Sequence, residues 1–280
     1  MNCIVFDIET GPLPMGQLQD ILPPFDPNTV PHPGSFDPKT VKCGNLKDQT
    51  KIDAKIDEAR AQHEESVRNY DSDLVAAEFM YWQEHKNKAA LSAMTGSVVA
   101  IGTKCYDSVQ LDCINDSTNE EIIIRSFWHM YLSIQNDKWN LVGFNSDDFD
   151  IPFLCQRSVI LGIKIPDSLI QNRRYLNSTF IDLRKLWGFG KLNPSGSLDA
   201  VCRACGIGKK SDGINGSQFS DLYFNPETRA AALAYLTNDL EMTFALAQRL
   251  IGDGSRGSSS SLESSFFIEE REEEDANANH

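Results

Sequence analysis

Two pairs of residues have the spacing that would direct their side chains into one site for a divalent cation. Asp7 and Glu9 lie two positions apart in an apolar, extended stretch, so both carboxylates point to the same face. Tyr235 and Asp239 lie four positions apart in a segment with helical character, so a phenol and a carboxylate project together. Hard cations such as Mg²⁺ prefer oxygen ligands of this kind. Each pair alone is also typical of an ordinary strand end or helix surface.

A third acidic segment follows the apolar stretch that ends at Phe144. Asp150 stands where the N-cap of a helix is expected, because Pro152 suits the first helical turn. Asp147 and Asp148 are neighbouring acids, and spacing alone does not decide which of the three carboxylates would serve a metal site.

Taken together, the segments resemble the motifs of the DEDD exonuclease superfamily. The chain is similar to its predicted 3′→5′ exonucleases related to the proofreading domain of family B DNA polymerases. Phe6–Thr10 looks like the first motif, Phe149–Leu154 like the second and Tyr235–Asp239 like the third. Asn45–Asp48 and Gly216–Gln218 also resemble segments of these proteins, and the likeness covers roughly residues 1–251. The form of the second motif favours Asp150 over the neighbouring acids.

The resemblance implies hydrolysis of a phosphodiester with two ions, Mg²⁺ or Mn²⁺. It implies that Asp7 bridges both ions, that Glu9 and Asp239 help to hold the one that activates water, and that Asp150 holds the other. Tyr235 would orient the water. A tyrosine four residues before Asp239 marks the tyrosine variant of the superfamily.

Contacts to the terminal nucleotide are expected from Thr10, Asn145 and Phe149. Phe149 could stack on a base, although a phenylalanine in the core is equally consistent with its position. The form of the second motif favours single-stranded DNA as the substrate. Two alternatives remain open: a 3′→5′ exoribonuclease of the same superfamily, and a non-catalytic protein that binds nucleic acid or accompanies a polymerase.

The fold class predicted from these segments is α/β. Apolar strands are expected near residues 2–7, 98–102, 109–114 and 140–144, and helices over 120–134, from 150 onward and over 226–250. Ser117–Glu120 has the pattern of a capping box. The resemblance implies a ribonuclease H-like mixed five-stranded sheet flanked by helices.

The expected exonuclease domain covers residues 1–251. A long helical insertion is predicted at about residues 50–92, and its stripe of residues at helical spacing would pack on the body or form a protruding arm or a dimer seam. A Gly/Ser linker and an acidic tail, residues 252–280, are expected to be disordered. The tail could also dock a replication or repair protein.

The charge of the chain is unevenly distributed. The formal net charge is −14, which is unfavourable for binding phosphates, and the tail alone contributes −6. Residues 157–210, in contrast, contain ten basic and three acidic residues and are expected to form part of a strand-binding surface. No apolar run reaches the length of a membrane span, so no membrane contact is expected, and the expected location is the cytoplasm.

Overall fold

The structure is a computed structural model, and it describes residues 2–44, 46–115, 117–135, 139–171, 179–209 and 216–252. The chain divides into two compact units. One unit contains residues 1–10 and the residues from 98 onward, and the other contains residues 11–97.

The centre of the first unit is a mixed five-stranded sheet with the strand order β3-β2-β1-β4-β5. Its strands are β1 (Cys3–Pro12), β2 (Gly96–Cys105), β3 (Ser108–Cys113), β4 (Asn140–Gly143) and β5 (Phe180–Asp182). β4 runs parallel to both β1 and β5, whereas β2 and β3 are antiparallel. The predicted ribonuclease H-like mixed sheet flanked by helices is therefore confirmed.

The helices alternate with the later strands, as expected for an α/β chain. They are α1 (Met15–Ile21), α2 (Gln49–Ala89), α3 (Glu120–Ile134), α4 (Asp150–Ile160), α5 (Asp167–Gln171), α6 (Leu183–Trp187), α7 (Leu198–Ala204), α8 (Phe219–Phe224) and α9 (Arg229–Ile251). None of the helices in the described ranges has the length and apolar character needed to cross a bilayer.

β1 is the central strand and is longer than the sequence predicts. Its first half is apolar, and the Phe6 ring packs against Phe127 and Phe180 with centroid distances of 5.3 and 6.2 Å. The strand continues to Pro12, so Asp7 and Glu9 lie inside it rather than after its end. β1 lies between β2 and β4 in the sheet, and its pairing with β4 over Cys3–Val5 anchors the start of the strand that presents the two carboxylates.

α9 packs closely on β2 because Gly102 has no side chain. A Cβ atom at this position would lie 2.7 Å from Leu240 Cδ1 and 3.1 Å from Leu236 Cγ. The buried residues of α9 recur at helical spacing, and the same face carries Tyr235 and Asp239. The close approach of helix and sheet thus fixes where these two side chains emerge.

A buried ion pair joins α3 to α4, and it corrects two expectations. The N-cap of α3 is Asn119, which accepts from Ile122 N at 3.0 Å, so Ser117–Glu120 does not form the predicted capping box. Glu120 instead binds the Arg157 side chain through two hydrogen bonds of 2.8 and 2.7 Å. Arg157 is only 4% exposed and its charge is paired, so its assignment to a strand-binding surface was wrong.

The second unit consists largely of α2 and a proline-rich segment that precedes it in the chain. The predicted helical insertion is present, and most residues of its stripe are half-buried. His63 packs against the Phe36 ring at 5.6 Å, and Tyr70 packs against His32 at 4.6 Å. The Tyr81 hydroxyl donates to the Pro23 carbonyl at 2.7 Å. The stripe therefore has a partner within its own unit, the proline-rich segment, which periodicity alone could not identify.

Candidate active site

Three carboxylates from β1 and α9 meet in the first unit. The ligand atoms of Asp7, Glu9 and Asp239 all lie within 4.8 Å of one another. Glu9 and Asp239 are 6% and 4% exposed, so their charges are held largely out of water. We call these three residues the carboxylate cluster. The structure thus brings together the first and third predicted motifs, which lie far apart in the sequence.

The chemistry of the carboxylate cluster fits a divalent cation. Carboxylates at this separation repel one another strongly when they are ionised in a low-dielectric surrounding. A hard cation removes that repulsion and takes oxygen ligands of this type. The donor set contains no thiol or imidazole, a composition that favours Mg²⁺ or Mn²⁺ over zinc or copper.

Metal binding is therefore expected to stabilise the fold. Saturating Mn²⁺ should raise Tm by several degrees relative to EDTA, because a ligand at about 100 times its Kd contributes roughly 2.7 kcal/mol to a state that alone binds it. Calorimetry or a thermal melt measures the shift. Asp239→Asn, which keeps the side-chain shape and removes one charge of the carboxylate cluster, should reduce it. Equal Tm values with Mn²⁺ and EDTA would argue against a metal site.

Asp150 lies beside the carboxylate cluster but is not one of its three members. It is the first residue of α4 and not its N-cap, which is Phe149. Its Oδ1 accepts a hydrogen bond from Ile8 N at 3.2 Å, the backbone position between Asp7 and Glu9. The predicted capping role was therefore wrong, because the carboxylate reaches across to β1.

Burial raises the pKa of Asp150 to about 7, and the hydrogen bond from Ile8 only partly offsets this effect. A carboxyl whose pKa is raised on folding is protonated in the native state and ionised in the unfolded state between the two pKa values. Native stability therefore falls as the pH rises through that interval, from the ordinary value of 3.8 to about 7.

The pH dependence can be tested in EDTA with Asp150→Asn. The amide keeps an acceptor for Ile8 N but does not ionise. We expect the variant to gain stability relative to the wild type as the pH rises from about 4 to about 7, with little further gain above that. Urea unfolding across this range gives the difference in free energy of unfolding. A difference that stays constant with pH would contradict the raised pKa.

Tyr235 extends from α9 toward the same place as Glu9. Its side chain is 3% exposed. A Cβ atom built on Gly216 would lie 3.8 Å from the Tyr235 hydroxyl and 3.8 Å from Glu9 Oε2. Both oxygens therefore face the same point beside Gly216. This glycine begins Gly216–Gln218, one of the segments that resemble the exonuclease family. A phenol in this place can donate or accept a hydrogen bond next to the carboxylate cluster.

The turn between β4 and α4 is held by Asp182. The carboxylate of Asp182 accepts from the backbone N–H groups of Asn145 at 2.9 Å, Asp147 at 3.2 Å and Arg184 at 2.8 Å. Asn145 has a φ of 67°, a left-handed conformation that asparagine tolerates better than most residues. One buried side chain thus ties the turn that leads into Asp150 to the start of α6.

Replacing Asp182 should destabilise the protein without touching the carboxylate cluster. Asp182→Ala removes an N-cap and two further charge-assisted hydrogen bonds, a loss of about 3 kcal/mol or more in the free energy of unfolding. Asp182→Asn keeps one acceptor oxygen and should cost less. Denaturant unfolding measures both, with Asp107→Ala in an exposed turn as a control that should change stability by less than about 0.5 kcal/mol. Equal losses in the alanine and asparagine variants would argue against the hydrogen-bonding role.

The two neighbouring acids have other partners. Lys185 Nζ lies 3.1 Å from Asp147 Oδ2 and 3.0 Å from Asp148 Oδ1. Burial raises the pKa of Asp147, which the Lys185 ammonium partly counteracts. Among these three acids of the segment, Asp150 alone makes a hydrogen bond to β1 within the described residues, so the geometry favours it as the acid of the second motif.

A cavity of 510 Å³ opens beside the carboxylate cluster. Its lining includes Asp7, Phe144, Asn145, Arg184, Gly196, Ser197, Leu198, Asp239 and Thr243. Asn145 was expected to contact substrate and lies in this lining. Thr10 is buried next to Glu9 in β1, and the half-buried Phe149 ring packs against Phe153 with a centroid distance of 5.5 Å. A cavity of this size suits a ligand of nucleotide dimensions.

Several residues in this lining did not stand out in the sequence as site residues. Ser197 and Leu198 begin α7, where Ser197 caps the helix and accepts from Ala200 N at 3.3 Å. Arg184 lies within the basic stretch and was counted there only as a charge. Two further arginines of that stretch, Arg173 and Arg174, lie outside the described residues. Sequence patterns gave no signal that α6 and α7 would meet at the cavity.

Comparisons with known proteins agree with the family suggested by the motifs. No match was found among curated protein sequences. Among solved structures, the chain is similar to the family B DNA polymerase from the hyperthermophilic archaeon Pyrobaculum calidifontis, with 21% sequence identity and a TM-score of 0.48. The similarity covers 60% of this chain and 23% of the polymerase chain, so this chain spans under a quarter of that protein's length. Residues 88–252 match a family described as predicted 3′–5′ exonucleases related to the exonuclease domain of PolB, and the chain belongs to that family.

Proposed function

We propose that this protein is a metal-dependent 3′→5′ exonuclease of the tyrosine variant that degrades single-stranded DNA to nucleoside monophosphates. The observation that carries the proposal is the carboxylate cluster, whose ligand atoms lie within 4.8 Å of one another. Asp7, Glu9 and Asp239 would hold one divalent ion, and Asp7 with Asp150 would hold a second. Bound ions would polarise the phosphate and lower the pKa of a water nucleophile.

The protein's own residues would then orient the reactants. The Tyr235 hydroxyl, which faces Gly216 as Glu9 Oε2 does, would hydrogen-bond the attacking water and hold it in line with the phosphorus. Asn145 in the cavity lining, with Thr10 and Phe149, would hold the terminal nucleotide. The rigid setting of β1 and α9 keeps the candidate ligands in place before substrate binds, a preorganisation that contributes to catalysis.

The preference for DNA rests on the family. Its description relates these proteins to the exonuclease domain of PolB. A ribonuclease built on the same cluster would need contacts that accept or exclude a 2′-hydroxyl. Comparing the rates at which the protein degrades DNA and RNA therefore tests the DNA assignment directly.

The proposal is tested with single strands of DNA and RNA that carry a label at either end. With Mg²⁺ or Mn²⁺, a 5′-labelled DNA strand should shorten as a ladder, and a 3′-labelled strand should release a labelled mononucleotide at once. EDTA should stop both reactions. Faster degradation of RNA than of DNA would mean that RNA, and not DNA, is the preferred substrate.

A protein that binds the strand without shortening it, in either metal, would be a binding protein and not an exonuclease. An internal cut, seen as a short labelled fragment from both strand ends, would contradict the exonuclease assignment.

A further inference from the structure

We propose that Arg184 binds a phosphate oxygen of the nucleic-acid strand that enters the cavity beside the carboxylate cluster. The inference rests on the proposed function, because it names a contact to the same substrate. The sequence predicts strand binding only for the basic stretch of residues 157–210 as a whole, whereas the structure points to one arginine within it.

The position of Arg184 is fixed by the fold. It is the second residue of α6, and its backbone N–H donates to the Asp182 carboxylate at 2.8 Å. Its side chain lines the same 510 Å³ cavity as Asp7 and Asp239. A guanidinium cation does not coordinate a metal ion, so Arg184 is placed to meet a different kind of group in this cavity, one that carries negative charge.

Among the described residues, the Arg184 side chain uses little of its hydrogen-bonding capacity. Its Nη1 donates to Asn145 Oδ1 at 2.6 Å. Its Nε is buried and has no hydrogen-bond partner among the described residues. A buried donor that lacks an acceptor costs free energy, and such a group is often explained by an absent ligand.

The charge of Arg184 is also unpaired, in contrast to several bases of the same stretch. Within the described ranges, no carboxylate lies within 4.0 Å of its guanidinium. Lys185 pairs with two aspartates at 3.1 and 3.0 Å, and Arg203 pairs with Asp199 at 2.7 Å. Arg184 therefore retains a positive charge at a cavity whose other charged lining residues are acidic.

These features fit a phosphate group. A guanidinium presents five donors in a planar fork that matches the oxygens of a phosphate. A strand approaching the carboxylate cluster meets negative charge, and a cation at the cavity wall offsets it. The hydrogen bond to Asn145 would hold the fork in one orientation, so that little side-chain freedom is lost on binding.

The contact can be mapped with oligodeoxythymidylates in which a single linkage near the 3′ end is an uncharged methylphosphonate. Binding is measured with Ca²⁺ in place of Mg²⁺, after a check that the strand stays intact. For the wild type, one linkage position should weaken binding roughly tenfold. For Arg184→Gln, the unmodified strand should bind about tenfold more weakly, and the same methylphosphonate should cause little additional loss.

Salt dependence gives a second readout. Removing one phosphate contact to a single strand should flatten the slope of log K against log salt by about 0.7. The matched control is Arg125→Gln, since Arg125 is half-exposed on α3 and already paired with Glu121 at 2.7 Å. It should leave both the slope and the methylphosphonate pattern unchanged.

Two outcomes would overturn the inference. The first is that wild type and Arg184→Gln respond equally to the methylphosphonate at every position. The second is that Arg184→Gln binds the unmodified strand as tightly as the wild type does, with the same salt slope. If the wild type shortens strands with Mn²⁺ in either case, the exonuclease assignment survives the failure of this contact.

Discussion

Asp7→Ala should abolish hydrolysis, with turnover reduced about 10³-fold or more. Asp7 belongs to the carboxylate cluster and lines the cavity, so its loss removes a ligand at the place where both ions are expected. A single-turnover assay with a 5′-labelled strand and Mn²⁺ measures the effect. Activity close to that of the wild type would remove Asp7 from the mechanism.

Misfolding can be separated from loss of chemistry in the same variant. In EDTA, Asp7→Ala should melt at the same temperature as the wild type or higher, because one of three mutually repelling carboxylates is gone. With Mn²⁺, the stabilisation seen for the wild type should largely disappear. A lower Tm in EDTA would mean that the side chain supports the fold, and the lost activity would then say little about metal binding.

Tyr235→Phe should lower turnover by about 10²-fold or more while leaving metal affinity nearly unchanged. The phenylalanine ring keeps the packing of this buried side chain and removes only the hydroxyl, which, like Glu9 Oε2, lies 3.8 Å from a Cβ built on Gly216. Rapid-quench kinetics give the turnover, and titration calorimetry gives the affinity for Mg²⁺ or Mn²⁺. A large loss of metal binding would indicate that the phenol oxygen is a ligand.

Tyr223→Phe is the matched control for this change. Tyr223 is also a buried tyrosine, and its hydroxyl donates to the Ile114 carbonyl at 2.7 Å. Its removal should cost about 1 kcal/mol in the free energy of unfolding and leave turnover unchanged. If both variants lost activity equally, the effect of Tyr235→Phe would have to be assigned to general loosening of α9 and its surroundings.

Local patterns predicted much of this architecture. The alternating or apolar runs identified four of the five strands, and β5 (Phe180–Asp182) was not among them. Asp7 with Glu9 and Tyr235 with Asp239 share faces because strands and helices have fixed periods. Neither the strand period nor the helix period predicts that the two pairs lie together in the fold. That expectation came from the resemblance, and the structure brings Asp239 to Asp7 and Glu9.

Features that depend on tertiary packing were missed or mistaken. The carboxylate of Asp150 bonds to a strand 142 positions away, so local sequence suggested only a cap. Arg157 looked like part of a charged surface, yet its partner Glu120 lies on another helix. The acidic tail from residue 253 lies outside the described residues, and its role as a solvated extension or docking segment stays a prediction.

The carboxylate cluster is drawn from the first strand and from the last described helix, and this separation would govern when the proposed activity could arise during synthesis. While α9 is still within the ribosome exit tunnel, the part of the nascent chain that has emerged carries Asp7 and Glu9 but not Asp239. The chain would therefore be inert toward nearby nucleic acid until nearly all of the fold has been translated. A stalled or truncated product that ends before α9 would lack nuclease activity for the same reason.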